Sequence, residues 1–347
     1  MTYPNLKDLE SLISQGLVSK RKHPEHLLWV YNYTPKAVTV PITEWTGALE
    51  DARGLILNEN GEIVGRGFRK FWNYEQVKDF IPWHEECTWD KKEDGSLIIA
   101  FLYKGEVIIA TRGSFESEQA LWAAEWLKTH KDLFIPGVSN LYEAVYPENK
   151  IVVDYKGLEY LFFLAHISND TGLDYIETRP ALLKKRTPEY IEGLKKDNTP
   201  NEEGYVITFY PSCFRVKIKF DDYVKLHRIR FQTTTHSIWD ILRTSPTFEP
   251  INQLCEGLPK DIEKKIKDYA FELSAKYIDL KLTCRKKWLG KILTLQTSGA
   301  SEKTIAQWIK EQKESQQPVL FALWRGKTGT AETALWKALE PIKEPLI

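Results

Sequence analysis

The sequence has no surplus of either charge. Its 48 lysines and arginines balance 48 aspartates and glutamates, so a chain-wide polycation that holds nucleic acid by charge alone is excluded and any basic site is local. Cysteine is scarce. The four present (Cys87, Cys213, Cys255, Cys284) lie far apart with no CxxC spacing, which argues against a disulfide framework and a zinc cluster and reads as reduced, intracellular thiols. No segment reaches the roughly 18 apolar residues of a membrane span, and the opening MTYPNLKDLESLISQG has no basic stretch leading into an apolar run. The expectation is a soluble cytoplasmic protein, or a nuclear one in a eukaryote, with no membrane and no obligate protein partner. Seven histidines show no HxxxH or HxH arrangement, and GEIVGRG is followed by no GKS or GKT, so a P-loop is rejected.

At 347 residues the chain is long enough for two domains. Leu6, Leu9, Leu12 and Ile13 recur at helical spacing and predict a short opening helix over 5–14. From Trp29 onward short β-rich runs follow, among them RGLILN, LIIAFLY, VIIATRG, LYEAVY, LEYLFFLAHI, GYVITFY and FRVKIKF, separated by turn pairs such as Asn60-Gly61 and Lys104-Gly105. A helix is expected at Ser117 to Lys128. After FRVKIKF the chain turns helical, and Ile262, Ile266, Tyr269, Leu273, Tyr277 and Leu280 mark one face of a long helix. TSPTFEP, residues 244–250, reads as the linker, giving an α+β domain over about 1–240 and a helical domain over 241–347.

The chemistry-bearing candidate is Lys92-Glu93-Asp94-Gly95, between the runs CTWDK and SLIIAFLY. Alone it reads equally as a polar turn. Its ordered company changes that: Arg53-Gly54 and Lys70-Phe71 upstream, then Glu143 in NLYEAVY, Glu203-Gly204 in EEGYVITF, and Lys217 and Lys219 in FRVKIKF. Lys217 and Lys219, two apart in a strand, share a face, although a solvated strand face fits their alternation with Val216, Ile218 and Phe220 as well. Lys281, Arg285, Lys286, Lys287 and Lys291 crowd the C-terminal region around Trp288, as an RNA-contacting surface or as a solvated helix face.

This order resembles the covalent nucleotidyltransferases: RNA ligases, DNA ligases and mRNA capping enzymes. YNY at 31–33, RGLI at 53–56, RKFWN at 69–73, KEDGSL at 92–97, RGSFESEQAL at 112–121, EGYV at 203–206 and KIKFDDYVKLH at 217–227 resemble, within that group, the bacteriophage T4 RNA ligase 1 family of tRNA-repair ligases. The likeness runs over roughly residues 29–230. It implies a nucleotidyltransferase domain of two antiparallel sheets around an ATP cleft, and joining of RNA 5′-phosphate and 3′-hydroxyl ends, nicked tRNA among the candidates, with ATP as co-substrate and magnesium or manganese as metal. By the same resemblance Lys92 accepts AMP, Glu203 belongs to the metal site, Glu143 holds the ribose or the metal, and Asp94 orients metal-bound water. Arg53 and Lys70 grip the β- and γ-phosphates. Tyr31, Gly95, Arg112, Lys217 and Lys219 complete the ATP contacts, with arginine at 112 where the family carries lysine. The competing readings are a DNA ligase or capping enzyme, which continues after the Lys-x-Lys strand into a β-barrel rather than helices, and an inactive RNA-binding relic of the fold.

The chemistry imposes its own demand. A nucleophilic lysine must be neutral, yet near its reference pKa of about 10.4 only about one in a few thousand is neutral at pH 7. The expectation is therefore that Lys217, Lys219, Arg53, Lys70 and a divalent metal lower Lys92 and neutralise charge on the α-phosphate.

Overall fold

The computed structural model describes residues 6–130, 135, 137–175, 184–196, 198–245, 247–256, 258 and 260–346. Its contacts divide the chain into two units, Met1–Lys225 and Leu226–Ile347.

The first unit contains three four-stranded sheets among the described residues, where the sequence led us to expect two. Sheet I runs in the order β1 (Val18–Lys22), β2 (Leu28–Tyr33), β3 (Arg53–Asn58), β4 (Ile63–Arg66). Sheet II is ordered β10 (Tyr160–Ile167), β9 (Ser139–Val145), β7 (Ser96–Tyr103), β8 (Glu106–Thr111), and sheet III is ordered β5 (Trp72–Asn73), β12 (Phe214–Lys219), β11 (Gly204–Tyr210), β6 (Glu86–Lys91). All pairings are antiparallel except β12 with the two-residue β5. Short helices α1 (Leu6–Ser14), α2 (Gly47–Asp51), α3 (Tyr74–Val77), α4 (Glu118–Thr129) and α5 (Pro188–Lys196) lie between the strands. Ser117 caps α4, its side chain accepting from the Ala120 amide.

Sheet I is the central layer because its inner strands β2 and β3 are apolar on both faces, the pattern of a doubly buried sheet, while edge strand β1 is polar and exposed. Tyr31, Leu55 and Leu57 point to one side and share a core with Ile207, Phe209, Val216 and Ile218 of sheet III. Leu28, Val30 and Ile56 point to the other and pack with Ile99, Phe101, Ile108 and Leu141 of sheet II. The far face of sheet II, with Ile98, Ala100, Tyr142 and Ala144, is covered by Ala123 and Leu127 of α4. The face of sheet II that carries Ile99 and Leu141 continues into a cleft, whose other wall is the Lys217 and Lys219 face of sheet III, opposite its Val216 and Ile218. Leu141 and Glu143 show the transition: two apart in β9, they share a face, one buried in the core and the other lining the cleft.

Arg66 at the end of β4 ties these layers. Its guanidinium meets Asp51 at 2.5 Å and the Asn169 carbonyl at 3.1 Å, while its backbone amide donates to Ser139 Oγ of β9. The Arg66 and Asp51 side chains are only 3% and 5% exposed.

The second unit is helical. The division falls within α6 (Asp221–Gln232): Tyr223 packs in the first unit with Val153 and Phe220, while Ile229 packs in the second. The boundary is thus earlier than the expected residue 240, because the helix that follows FRVKIKF serves both units. The proposed linker 244–250 lies instead between α7 (Thr235–Thr244) and α8 (Glu249–Cys255), inside the helical unit, with Pro246 outside the described residues. Helix α9 (Lys260–Lys287) threads two cores: Ile266, Ala270 and Leu273 join Ile238, Trp239, Leu242 and Trp336, and Cys284 joins Ile305, Ile309, Leu320 and Leu335. A π-helical turn, Trp288–Ile292, continues it into α10 (Leu293–Thr297), followed by α11 (Glu302–Lys310), α12 (Gln317–Trp324) and α13 (Thr328–Lys337).

Removing one partner of a buried ion pair strands the other charge. Asp51→Ala removes the buried carboxylate that Arg66 and Arg69 both contact, at 2.5 and 3.0 Å, and is expected to lower unfolding free energy by about 3–5 kcal/mol, read by urea denaturation. A loss under about 1 kcal/mol, the value of a surface pair, would show that Arg66 does not hold the layers together.

Candidate active site

Lys92 to Gly95 form the crossing from sheet III to sheet II, leaving β6 and entering β7. Two glycines allow it. A Cβ on Gly95 would stand 2.2 Å from the Ala144 carbonyl oxygen, and one on Gly204, where φ is +139°, would stand 2.0 Å from the Ile218 carbonyl oxygen. The tight approach at Gly204 lets the Lys92 amide donate to its carbonyl at 2.8 Å, which fixes Lys92 beside Glu203.

Glu203 is 2% exposed and bound by two ammonium groups, Lys92 Nζ at 2.7 Å on one oxygen and Lys219 Nζ at 2.7 Å on the other. Glu143 accepts from the Gly95 amide at 3.1 Å. Burial pushes the Glu143 carboxyl up to about 7, Lys92 acting against this and Glu203 with it. Burial alone would lower the Lys92 ammonium, but Glu203, Glu143 and Asp94 outweigh it and raise it above its ordinary value. This corrects the expectation of a lysine lowered by cations: in the ligand-free cleft its immediate neighbours are carboxylates.

The depressed lysines are Lys70, lowered by burial first, and, further, Lys217. Burial first, then Lys70, Lys219, Arg53 and Lys92, bring its ammonium down to about 7. No carboxylate pairs with it among the described residues; its charge lies over the Phe71 ring, 5.6 Å from the centroid, and Arg53 lies over the same ring at 5.3 Å. Lys70 sits among Trp72, Tyr33 and Trp45, with ring centroids at 4.4, 5.3 and 5.7 Å. Arg112 donates to the Tyr33 hydroxyl at 3.2 Å. Burial would raise that hydroxyl, yet Arg112, Lys70 and Arg53 together lower it. The cleft encloses about 910 Å³ and is lined by Lys92, Gly95, Glu143, Arg53, Arg112, Lys217 and Lys219, among others. It has an acidic end at Glu143 and Glu203 and a cationic end at Arg53, Lys70, Lys217 and Arg112.

Two expected site residues stand elsewhere. Tyr31 is 1% exposed inside the core shared by sheets I and III, so it cannot contact ATP; Tyr33, two residues on, is the tyrosine that meets the cationic cluster. Asp94 does not face the cleft with a free oxygen. One oxygen accepts from the Val152 and Val153 amides, both at 2.8 Å, and the other from the Tyr223 hydroxyl at 2.6 Å. It brackets the Lys92 loop instead of offering itself to a metal. Among the described residues no group of three His, Cys, Asp or Glu side chains is arranged to hold a metal ion. Glu203 and Glu143 are the carboxylates that remain, a donor pair that suits a hydrated hard cation and not an all-protein cage.

Sequence reasoning missed three contributors. Phe71 separates two cations, Tyr155 bridges the Asp94 amide and the Glu93 carboxylate at 2.7 and 2.8 Å, and Tyr223 holds Asp94. Phe71 and Tyr223 lie inside the quoted motifs RKFWN and KIKFDDYVKLH; Tyr155 lies outside any strand or helix, where no periodicity signals it.

An unpaired, half-buried cation costs stability. Lys217→Met is expected to stabilise the ligand-free protein by about 1–2 kcal/mol at pH 6. Because the folded-state pKa is depressed to about 7, the gain is full below that pH and fades as pH rises toward the ordinary lysine value. Chemical denaturation across pH checks this, and a gain independent of pH would assign it to packing.

Residues 51–199 match a family described as RNA ligase. A curated relative, a putative bifunctional polynucleotide kinase/RNA ligase of Autographa californica nuclear polyhedrosis virus, is 25% identical over 259 residues, 63% of this chain and 36% of the relative. The chain thus spans about a third of that relative's length. Solved structures with related topology include a putative ATP-dependent DNA ligase from Aquifex aeolicus (12% identity, 82% of this chain and 80% of that one, TM-score 0.43). An archaeal ATP-dependent RNA ligase (15%, 77% and 75%, TM-score 0.38) and a Naegleria gruberi RNA ligase variant with ATP and Mn (13%, 49% and 61%, TM-score 0.37) are others. The match to the family covers Lys92, Asp94, Gly95, Arg112 and Glu143 and stops short of Glu203, Lys217 and Lys219, which the fold brings to the same cleft. The stretch that carries Lys92 and its carboxylate neighbour Glu143 thus lies within the residues that match the RNA ligase family.

Proposed function

We propose that this chain is an ATP-dependent RNA ligase that joins a 5′-phosphate to a 3′-hydroxyl through AMP linked to Lys92. The observation that carries the reading is the convergence of Lys92, Glu143, Lys217 and Lys219 on one cleft between two sheets, with Glu203 bound to Lys92 and Lys219 beside it, from four separate stretches of sequence. Lys92 Nζ attacks the α-phosphate of ATP and pyrophosphate leaves; the phosphoramide then passes AMP to the RNA 5′-phosphate; the RNA 3′-hydroxyl displaces AMP and closes the phosphodiester.

Each cluster has a part in this sequence. The cationic end is shaped for the polyphosphate: Lys217 regains full charge when phosphate oxygens replace its cationic neighbours as its nearest contacts. Lys219 is placed to stabilise charge at the α-phosphate, while Arg53, Lys70 and Arg112 hold the leaving pyrophosphate. Glu143 is the candidate for the ribose. Glu203 favours the protonated form of Lys92, so the nucleophile is masked until Glu203 lets it go. A hydrated magnesium or manganese ion held at Glu203 and Glu143 would supply positive charge at the reacting phosphate and release Lys92 from its carboxylate. Asp94, clamped by Tyr223 and the 152–153 backbone, holds the Lys92 loop rigid. The helical unit is assigned the choice of RNA, nicked tRNA among the candidates, since every proposed catalytic residue precedes it.

Incubation with labelled ATP and magnesium, followed by denaturing electrophoresis, is expected to leave AMP on the protein, and Lys92→Ala should abolish the label. Labelling of the alanine variant at the normal rate would sink the assignment. Absence of label in the native protein would favour a relic that keeps the fold. Supplying pre-adenylylated RNA bypasses the first step. Arg53→Ala and Lys70→Ala should then retain at least about ten-fold more joining than they show with ATP, about 1.4 kcal/mol of differential barrier, whereas Lys219→Ala should fail in both assays. Equal losses for all three would remove the division between leaving-group grip and α-phosphate stabilisation.

A further inference from the structure

Helix α9 carries two apolar stripes on opposite sides, and only one faces the cores of the helical unit. The inward stripe includes Ile266, Ala270, Leu273 and Cys284. The other consists of Phe271, Ile278 and Leu282, exposed by 59, 54 and 51%, continued by Leu289 at 46% at the start of the π-helical turn. With the exposed Ala275 and Arg285 the positions 271, 275, 278, 282, 285 and 289 alternate steps of four and three, the spacing that aligns side chains along one seam for a partner helix. A contiguous apolar strip of this kind on a charged helix marks an interaction surface.

We infer that this strip is a self-association face, covered by the α9 of a second copy running antiparallel. Three features on the helix select that partner. A two-fold axis near residue 280 sets Ile278 against the second copy's Leu282 and Phe271 against its Leu289, so the large apolar positions meet one another. The same axis sets Arg285, the one charged residue of the seam, against the small Ala275, which leaves room for its stem, whereas a parallel pair would stack Arg285 on Arg285. Along the flank, Glu272 meets the second copy's Lys286. Glu272 also pairs with Lys276 of its own helix at 2.6 Å, on the side away from the seam, and Lys286 has no ion-pair partner among the described residues. The two Asp279 carboxylates on one flank and the two Lys281 ammonium groups on the other meet near the axis as like-charge contacts, which keep the association weak and reversible.

The full chain, without ATP or RNA, is followed by sedimentation equilibrium over a concentration series, so the outcome is independent of the ligase reading. A monomer–dimer equilibrium is expected. Ile278→Glu with Leu282→Glu, both at exposed positions, should weaken it by roughly a hundred-fold with unchanged circular dichroism, and Asp279→Asn should tighten it. In a Cys213→Ser background, Asp279→Cys should oxidise to a covalent dimer, while Phe271→Cys alone should not. A monomer at every concentration, a dimer indifferent to the double glutamate change, or self-linking of Phe271→Cys would each overturn the antiparallel pair; the last would indicate a parallel one, and the first a seam closed by another protein.

Discussion

The site hangs on one carboxylate shared by two lysines. Glu203, almost fully buried, is acceptable in the protein interior only because Lys92 and Lys219 each give it a charge-assisted hydrogen bond. That arrangement orients β11 against the Lys92 loop, and it requires Gly204, whose backbone must come within reach of the Ile218 carbonyl and the Lys92 amide. Everything catalytically suggestive about Lys92 follows from this: its side chain is aimed into the cleft by Glu203, its proton is retained by Glu203, and its loop is closed behind by Asp94. The triad is a latch, and its energetic cost in desolvation is balanced by geometry, not by hydrophobic burial.

The cleft is made from one face of sheet II and one face of sheet III. In sheet II the face that packs Ile99 and Leu141 against sheet I continues as Glu143, whereas β12 turns Val216 and Ile218 to the core shared with sheet I and Lys217 and Lys219, on its opposite face, to the cleft. A single alternation of side chains therefore builds both the core and the site. Rigidity at the reacting end is inherited directly from packing a few residues away, with Arg66 and Asp51 fastening the layers from the side.

Much of this was legible beforehand, for identifiable reasons. KEDG, the EGYV run and the two-residue spacing of KIK are local patterns whose strand geometry follows from alternation alone, and all three landed on the cleft. What depended on tertiary neighbours was not legible. Tyr31 and Tyr33 are equivalent in sequence, and only the depth of sheet I buries the first. Asp94 looked like a metal ligand because its partners, Tyr223 and the 152–153 amides, are 58 or more residues away. The same blindness assigned the lowered pKa to Lys92 when the fold gives it to Lys217 and Lys70. The basic run at 285–287 likewise divides on folding: Lys287 is held by Gln312 and Gln316 at 2.7 Å each, while Arg285 and Lys286 border an apolar strip.

The cationic end of the cleft has a practical consequence for anyone who handles the protein. Arg53, Lys70, Arg112 and Lys217 crowd together with no carboxylate pairing to Lys217 among the described residues, so the cleft is suited to take up anions, as a small ion exchanger whose resin is its own interior. Any compact multivalent anion that enters relieves the repulsion and raises the melting temperature, whether or not a base or sugar comes with it. A thermal-shift screen would therefore rank compounds by phosphate count before it ranked them by nucleoside, and buffers containing phosphate or sulfate would flatten the very differences such a screen is meant to find.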